Sequence, residues 1–159
     1  MIKYTVMNLL SPISSIMTSK LVTVTPSDPL TRVKEIFDEH NIHHIPVVRF
    51  KKIVGIISKS DFSYFLWGYT NNEMTDTLTN NRLKTWEAED IMSTKLAKVE
   101  STDSVRTALE VFKINRFHAL PVVDNDELVG ILTPLDIVVA LANEPIHLED
   151  YKNAKTVKS

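Results

Sequence analysis

There is no cysteine anywhere in the 159 residues. That excludes a disulfide framework, a thiolate nucleophile and a cysteine-ligated zinc site. Glycine is almost as scarce, with Gly55, Gly68 and Gly130 the only three. A Gly-rich phosphate loop and a dinucleotide fingerprint both need clustered glycines, so neither is present. No His-Glu-x-x-His pair and no nucleophile elbow occurs either. Long apolar runs are missing: the longest covers residues 137–142, far short of the roughly 20 residues a spanning helix needs. Basic excess is absent too. The formal net charge is -2, whereas a nucleic-acid-binding surface carries a marked positive balance. The first ten residues hold one lysine and no sustained apolar stretch, so no signal peptide is read. These absences predict a cytoplasmic protein with neither catalytic motif, nucleic acid nor membrane among its associations.

What the chain does have is a repetition. Residues 16–66, shifted by 75 positions, fall on residues 91–141 without a gap, and 17 of the 51 aligned positions are identical. Unrelated segments agree at roughly one position in sixteen, so this is an internal repeat. Two copies of one unit create a pseudo-two-fold cleft between them, and small ligands bind at such interfaces. The apolar content of 43% and charged content of 24% are those of a globular chain. Its length suits one domain, or two half-size units sharing a core.

Each copy reads as strand, helix, strand, strand, helix, which makes the expected fold class α/β in the mixed α+β sense. Residues 21–24 alternate like a strand. Asp28-Pro29 then offers an N-cap and a first-turn proline, and Leu30, Val33, Ile36 and Phe37 recur at helical spacing. The β-branched runs 45–48 and 53–57 flank a polar turn at residues 49–52, as in a hairpin. Ser58 opens a second helix through Phe62, Phe65 and Leu66. The second copy predicts strands over 96–99, 120–123 and 128–132, and helices over 103–115 and 133–141. The first two strands of a copy, joined by a helix, should be parallel. Two helices cover one face of such a sheet, so the copies are expected to pack sheet to sheet with pseudo-two-fold symmetry, neither being stable alone. The repeats occupy residues 16–67 and 89–142. Around them lie an N-terminal helical extension (1–15, on Val6, Leu9, Leu10 and Ile13), a polar linker (68–88) and a C-terminal tail (143–159).

These motifs resemble the CBS domain family, named for cystathionine β-synthase, in its tandem arrangement or Bateman module. The resemblance rests on Ile16-Met17-Thr18 and Ile91-Met92-Ser93, which open the copies. It continues in His43-His44-Ile45-Pro46-Val47-Val48 and His118-Ala119-Leu120-Pro121-Val122-Val123. It ends in Gly55-Ile56-Ile57-Ser58-Lys59-Ser60-Asp61 and Gly130-Ile131-Leu132-Thr133-Pro134-Leu135-Asp136. It implies a non-catalytic regulatory module with clefts for adenosine-containing ligands such as AMP, ADP, ATP or S-adenosylmethionine. It also implies a homodimer and no required cofactor; a separate effector protein would receive the signal. In the family the last Asp binds both ribose hydroxyls, and the Ser or Thr three residues earlier reaches phosphate. The segment before Pro-Val-Val and the other copy's lead-in enclose the base. Carried over, one site takes Ser58, Asp61, His43 and His44 with Ser93 and Ala97. The other takes Thr133, Asp136 and His118 with Thr18 and Val22.

The chemistry agrees with that transfer. A carboxylate can accept from two vicinal hydroxyls at once, and a helix N-terminus favours an anion. Gly55 and Gly130 are expected to permit close approach of ligand or backbone. Ser-x-x-Asp and Thr-x-x-Asp are also close to capping boxes, and Thr133-Pro134 reads as cap plus first-turn proline; a capped N-terminus can still face a ligand. His44 stands where family members often place a basic residue near phosphate, against Ala119 in the other copy. The first site is therefore expected to take the more phosphorylated ligand. The lack of arginine around both sites argues against tight triphosphate binding. His40, His43 and His44 read as surface or cleft histidines rather than a metal site, since no carboxylate pattern accompanies them. Arg49, Lys51 and Lys52 oppose Asp124, Asp126 and Glu127 in the hairpin turns, to be solvated or to pair across a head-to-tail dimer. The alternative to a ligand module is a ligand-free dimerisation or protein-interaction scaffold.

Overall fold

Leu30, Val33, Ile36 and Phe37 are buried along helix α1 (Leu30–Glu39) in the computed structural model, which describes residues 8–68, 76–114 and 116–144. Strands β1 (His44–Arg49) and β2 (Lys52–Ser58) follow, then helices α2 (Lys59–Trp67), α3 (Asp76–Thr85) and α4 (Ala88–Ile91). The second half supplies β3 (Val99–Glu100), α5 (Val105–Lys113), β4 (Leu120–Asp124), β5 (Glu127–Leu132) and α6 (Pro134–Ala142). The architecture is mixed, with two small sheets. β1 and β2 are antiparallel; β3 runs parallel to β4, which is antiparallel to β5.

Local chemistry corrects several expectations. Each hairpin turns on two residues rather than four. Phe50 and Lys51, like Asn125 and Asp126, take positive φ, the primed turn that matches strand twist. Asp28 does not cap α1. Its carboxylate accepts from Thr25 N–H at 2.6 Å, as Asp103 does from Glu100 N–H at 2.8 Å. The Leu30 N–H donates instead to the Trp86 carbonyl at 3.0 Å.

The first strand of copy one shrinks to a single parallel bridge, Val24 to Val47. In copy two the backbone beyond β3 is held by Ser101 N–H donating to Asp124 Oδ1 at 3.1 Å. The corresponding residues in copy one are Pro26, which has no N–H, and Arg49, which has no acceptor.

Part of the expected linker is helix α3. Its sequence shows little apolar periodicity, and tertiary contacts hold it. Leu83 is buried, Arg82 Nη1 donates to the Phe65 carbonyl at 2.8 Å, and Trp86, just beyond the helix, meets Phe65 edge to face at 5.3 Å. The N-terminal extension contains one 3-10 turn, Ile13–Ser15, rather than a longer helix over the described part. Val6 and residues 145–159 lie outside the described residues.

Each half lends its lead-in to the other. Thr18 exchanges backbone hydrogen bonds with Ile131 (3.0 and 2.9 Å), and Ser93 does the same with Ile56 (2.9 and 3.0 Å). Further out, Ile13 N–H donates to the Asp103 carbonyl and Ala88 N–H to the Asp28 carbonyl, both at 2.8 Å. The bonds of one half match those of the other with one partner moved 75 positions later and the other 75 earlier, which is the pseudo-two-fold written in backbone.

The cores obey the same exchange. Leu83 and Ala88 are buried with Val24, Leu30, Val33, Ile45 and Ile57. Ile13 is buried with Val99, Leu120, Val122, Leu132 and Ile137.

The glycines serve this packing rather than a ligand. A Cβ on Gly55 would stand 2.3 Å from Met92 Sδ, and one on Gly130 would stand 2.5 Å from Met17 Sδ. The charged hairpins also meet within one chain. Lys52 pairs with Asp126 at 2.5 Å and Lys51 with Glu127 at 3.4 Å, beside a Leu128 N–H to Lys51 carbonyl bond at 2.9 Å. Within the monomer, then, these charges already have intramolecular partners.

Candidate functional site

Ser58 ends β2 and Thr133 follows β5, and each caps the next helix because extended backbone there lets the side-chain oxygen turn back to the first turn. Ser58 Oγ accepts from Asp61 N–H at 3.0 Å and donates to Asp61 Oδ2 at 2.6 Å. Thr133 forms the full box: its N–H and its hydroxyl both donate to Asp136 Oδ2 at 2.7 Å, and Asp136 N–H returns to Thr133 Oγ1 at 3.4 Å. The capping expectation thus holds for both, but the box closes completely only at α6 among these two.

Two clefts open beside these caps. The first encloses about 520 Å³ and is bounded by His43, His44, Ile56, Ser58, Lys59, Ser60, Asp61, Ser93, Lys95, Leu96, Arg116, Phe117, His118 and Ala119. The second encloses about 330 Å³ and is bounded by Thr18, Asn41, Ile42, His43, His44, His118, Ile131, Thr133, Pro134, Leu135 and Asp136. The first cleft therefore gathers Ser58, Asp61, His43, His44 and Ser93, while the second gathers Thr133, Asp136, His118 and Thr18. Ala97 and Val22 are not on these walls; they pack against the second and first cores. The three histidines belong to both clefts, forming a shared wall that treating the copies separately did not suggest. His40 is elsewhere, at the C-terminal end of α1, where its N–H donates to the Ile36 carbonyl.

The carboxylates are unequal. Asp136 Oδ1 additionally accepts from Thr18 Oγ1 at 3.0 Å. Asp61 Oδ1 has no hydrogen-bond partner among the described residues. Charge is unequal as well. Lys59, Lys95 and Arg116 line the first cleft, and among the described residues no lysine or arginine lines the second. At His44, burial, then the neighbouring His43 and His118, push the pKa below its ordinary 6.5, against an opposing pull from Asp61. Arg116 removes the sequence-based objection that the first site lacks an arginine. Lys59 lies within a quoted motif and Lys95 and Arg116 stand two residues from one, but only lysine at Lys20 and Lys95 is common to both copies. Chemically, the first cleft combines an acceptor for hydroxyls, a helix N-terminus and three cations, which suits a phosphorylated polyol. The second offers an engaged carboxylate between apolar side chains.

Known proteins share this organisation. A family model for the CBS domain matches residues 13–68 and 88–143. YhcV of Bacillus subtilis, a CBS domain-containing protein, is 25% identical over 136 residues, spanning 85% of this chain and 89% of its own. The uncharacterised MJ1225 of Methanocaldococcus jannaschii is 28% identical over 132 residues; the match takes in 79% of this chain but only 45% of that relative. Among solved structures, CBSX2 in complex with AMP superposes with a TM-score of 0.67 at 26% identity, over 83% of this chain and 96% of the other.

Proposed function

Since the chain belongs to the CBS domain family, we propose that it is a non-catalytic regulatory module whose first cleft holds a phosphorylated adenosine ligand: AMP, ADP or ATP. One observation carries this reading. The half-free carboxylate of Asp61 and the cations Lys59, Lys95 and Arg116 share one cleft of about 520 Å³. Asp61 takes the ribose hydroxyls. Phosphate lies toward Ser58, the N-terminus of α2 and the cations. His43, His44 and Ser93 flank the base. The AMP complex of CBSX2 supports the ligand class. Binding signals to a separate effector by favouring one angle between the two halves, which requires different affinity for the two arrangements. The module acts in the cytoplasm, and no helix among the described residues is long and apolar enough to cross a membrane.

Thermal unfolding against AMP, ADP, ATP and S-adenosylmethionine tests this, because a ligand of the folded state raises the melting temperature by mass action. A saturable rise with a phosphorylated member is expected. Asp61→Ala should weaken that ligand by roughly tenfold or more, as loss of a charge-assisted hydrogen bond of about 1.5–3 kcal/mol implies. No shift at millimolar ligand would turn the assignment to the dimerisation scaffold. That second reading draws on α6, which exposes Leu135, Val138, Val139 and Leu141, a face that a second copy would cover in a homodimer. Sedimentation of the purified chain measures it.

A further inference from the structure

A carboxylate has about four lone-pair sites. Asp136 fills two on Oδ2 from the Thr133 N–H and hydroxyl, and one on Oδ1 from Thr18 Oγ1 at 3.0 Å. Asp61 fills one, from Ser58 Oγ. About one site is left on Asp136 and about three on Asp61, while a vicinal diol needs two. Two bonds make the difference, the Thr133 N–H on Oδ2 and the Thr18 hydroxyl on Oδ1, while the lead-in backbones are alike. Thr18 is fixed by its pair of bonds to Ile131 just as Ser93 is fixed by its pair to Ile56, yet no hydrogen bond joins Ser93 to Asp61 among the described residues.

We propose that Thr18 is a specificity-determining residue that keeps the second cleft from accepting a ribose diol. The inference rests on the reading that the carboxylates of this pair take ribose hydroxyls. The second cleft is then suited to an uncharged nucleoside-like ligand presenting a single hydroxyl, since its walls include Ile42, Ile131, Pro134 and Leu135 and, among the described residues, no lysine or arginine. A diol entering there must break an internal charge-assisted bond; in the first cleft it displaces only water.

Thr18 is exposed and its backbone bonds do not depend on its side chain, so Thr18→Val removes the hydroxyl with little risk to folding. Calorimetric titration with adenosine should read about one site per chain in the parent and about two in Thr18→Val, because the variant carboxylate regains a second acceptor. Thr18→Ser, which keeps the hydroxyl, should behave as the parent. 2′-Deoxyadenosine, one hydroxyl short, should show the same uptake in parent and Thr18→Val. An unchanged adenosine stoichiometry in Thr18→Val overturns the inference. So does a parent that already binds two adenosines, or a gain equal for both nucleosides, which would mark a loosened cleft. Repeating the titration on Asp61→Ala separates the clefts. If Asp61→Ala leaves parent binding intact, the ribose reading fails and the inference falls with it; if Asp61→Ala abolishes parent binding while Thr18→Val gains no second adenosine, the inference alone fails.

Discussion

Burial and the rings of His43 and His118 hold the His44 imidazole below its ordinary pKa of 6.5. The unfolded chain keeps the ordinary value, so between the two the unfolded state binds more protons. The stability tied to neutral His44 is complete above pH of about 6.5 and is lost as pH falls through the lowered folded value. Thermal unfolding at pH near 5 should therefore give a lower midpoint than at pH near 7, and His44→Gln should flatten part of that slope. A variant slope equal to the parent's would refute the assignment. At this scale the sequence was readable wherever both copies keep a residue at one offset, as with Ser58, Asp61, Thr133 and Asp136. It was mute about Arg116 and Lys59, whose counterparts are Asn41 and Pro134. Comparing copies hides what one copy alone supplies. Lone-pair occupancy was equally hidden, since the Thr18 hydroxyl reaches Asp136 across 118 positions.

Among the elements, the strand-end glycines and the lead-ins lock together. Gly55→Ala would drive a methyl into Met92, and Gly130→Ala one into Met17 and toward the Thr18 carbonyl at 3.2 Å. Each should lose about 1–3 kcal/mol as an overpacked contact, read as a lower denaturation midpoint. Adding Met92→Ala to Gly55→Ala should recover part of the loss; no recovery would place the strain elsewhere. Ile13 sits in a 3-10 turn of three residues but is fully buried. Ile13→Ala should cost about 2–5 kcal/mol, a loss that chemical denaturation detects and that a peripheral extension would not show. Periodicity revealed α1, the hairpins, α2, α5 and α6, because each buries its own stripe or strand face. It missed α3, whose polar residues are ordered by Arg82, Leu83 and the neighbouring Trp86 gripping the first half. The lead-in exchange was also invisible, since backbone bonds to Ile131 and Ile56 depend on register rather than side-chain type.

For the molecule as a whole, each half completes its core with residues from the other side of a crossover. Unfolding should accordingly be a single cooperative transition. Both tryptophans, Trp67 and Trp86, precede the second repeat, and Trp86 packs on Phe65 of the first, so their fluorescence reports the first unit while far-ultraviolet circular dichroism reports all helices. Coincident denaturation curves are expected, and separated midpoints would mean that the halves unfold independently. The paired fold was legible in the repeat itself, since identical buried positions demand identical partners. The direction of the exchange is set by backbone register, which side-chain patterning does not record.

That exchange also sets a timetable for the chain as it is made. The first core draws on residues no later than Met92, so it can close while synthesis continues. Ile13, Ile16 and Met17 belong to the second core, with Leu120, Leu132 and Ile137. At about 5–20 residues per second, their partners leave the ribosome on the order of 5–20 seconds later. For the last part of that wait, once Met92 has emerged, an apolar lead-in hangs from a folded half, and the last strands to emerge must find the earliest residues made.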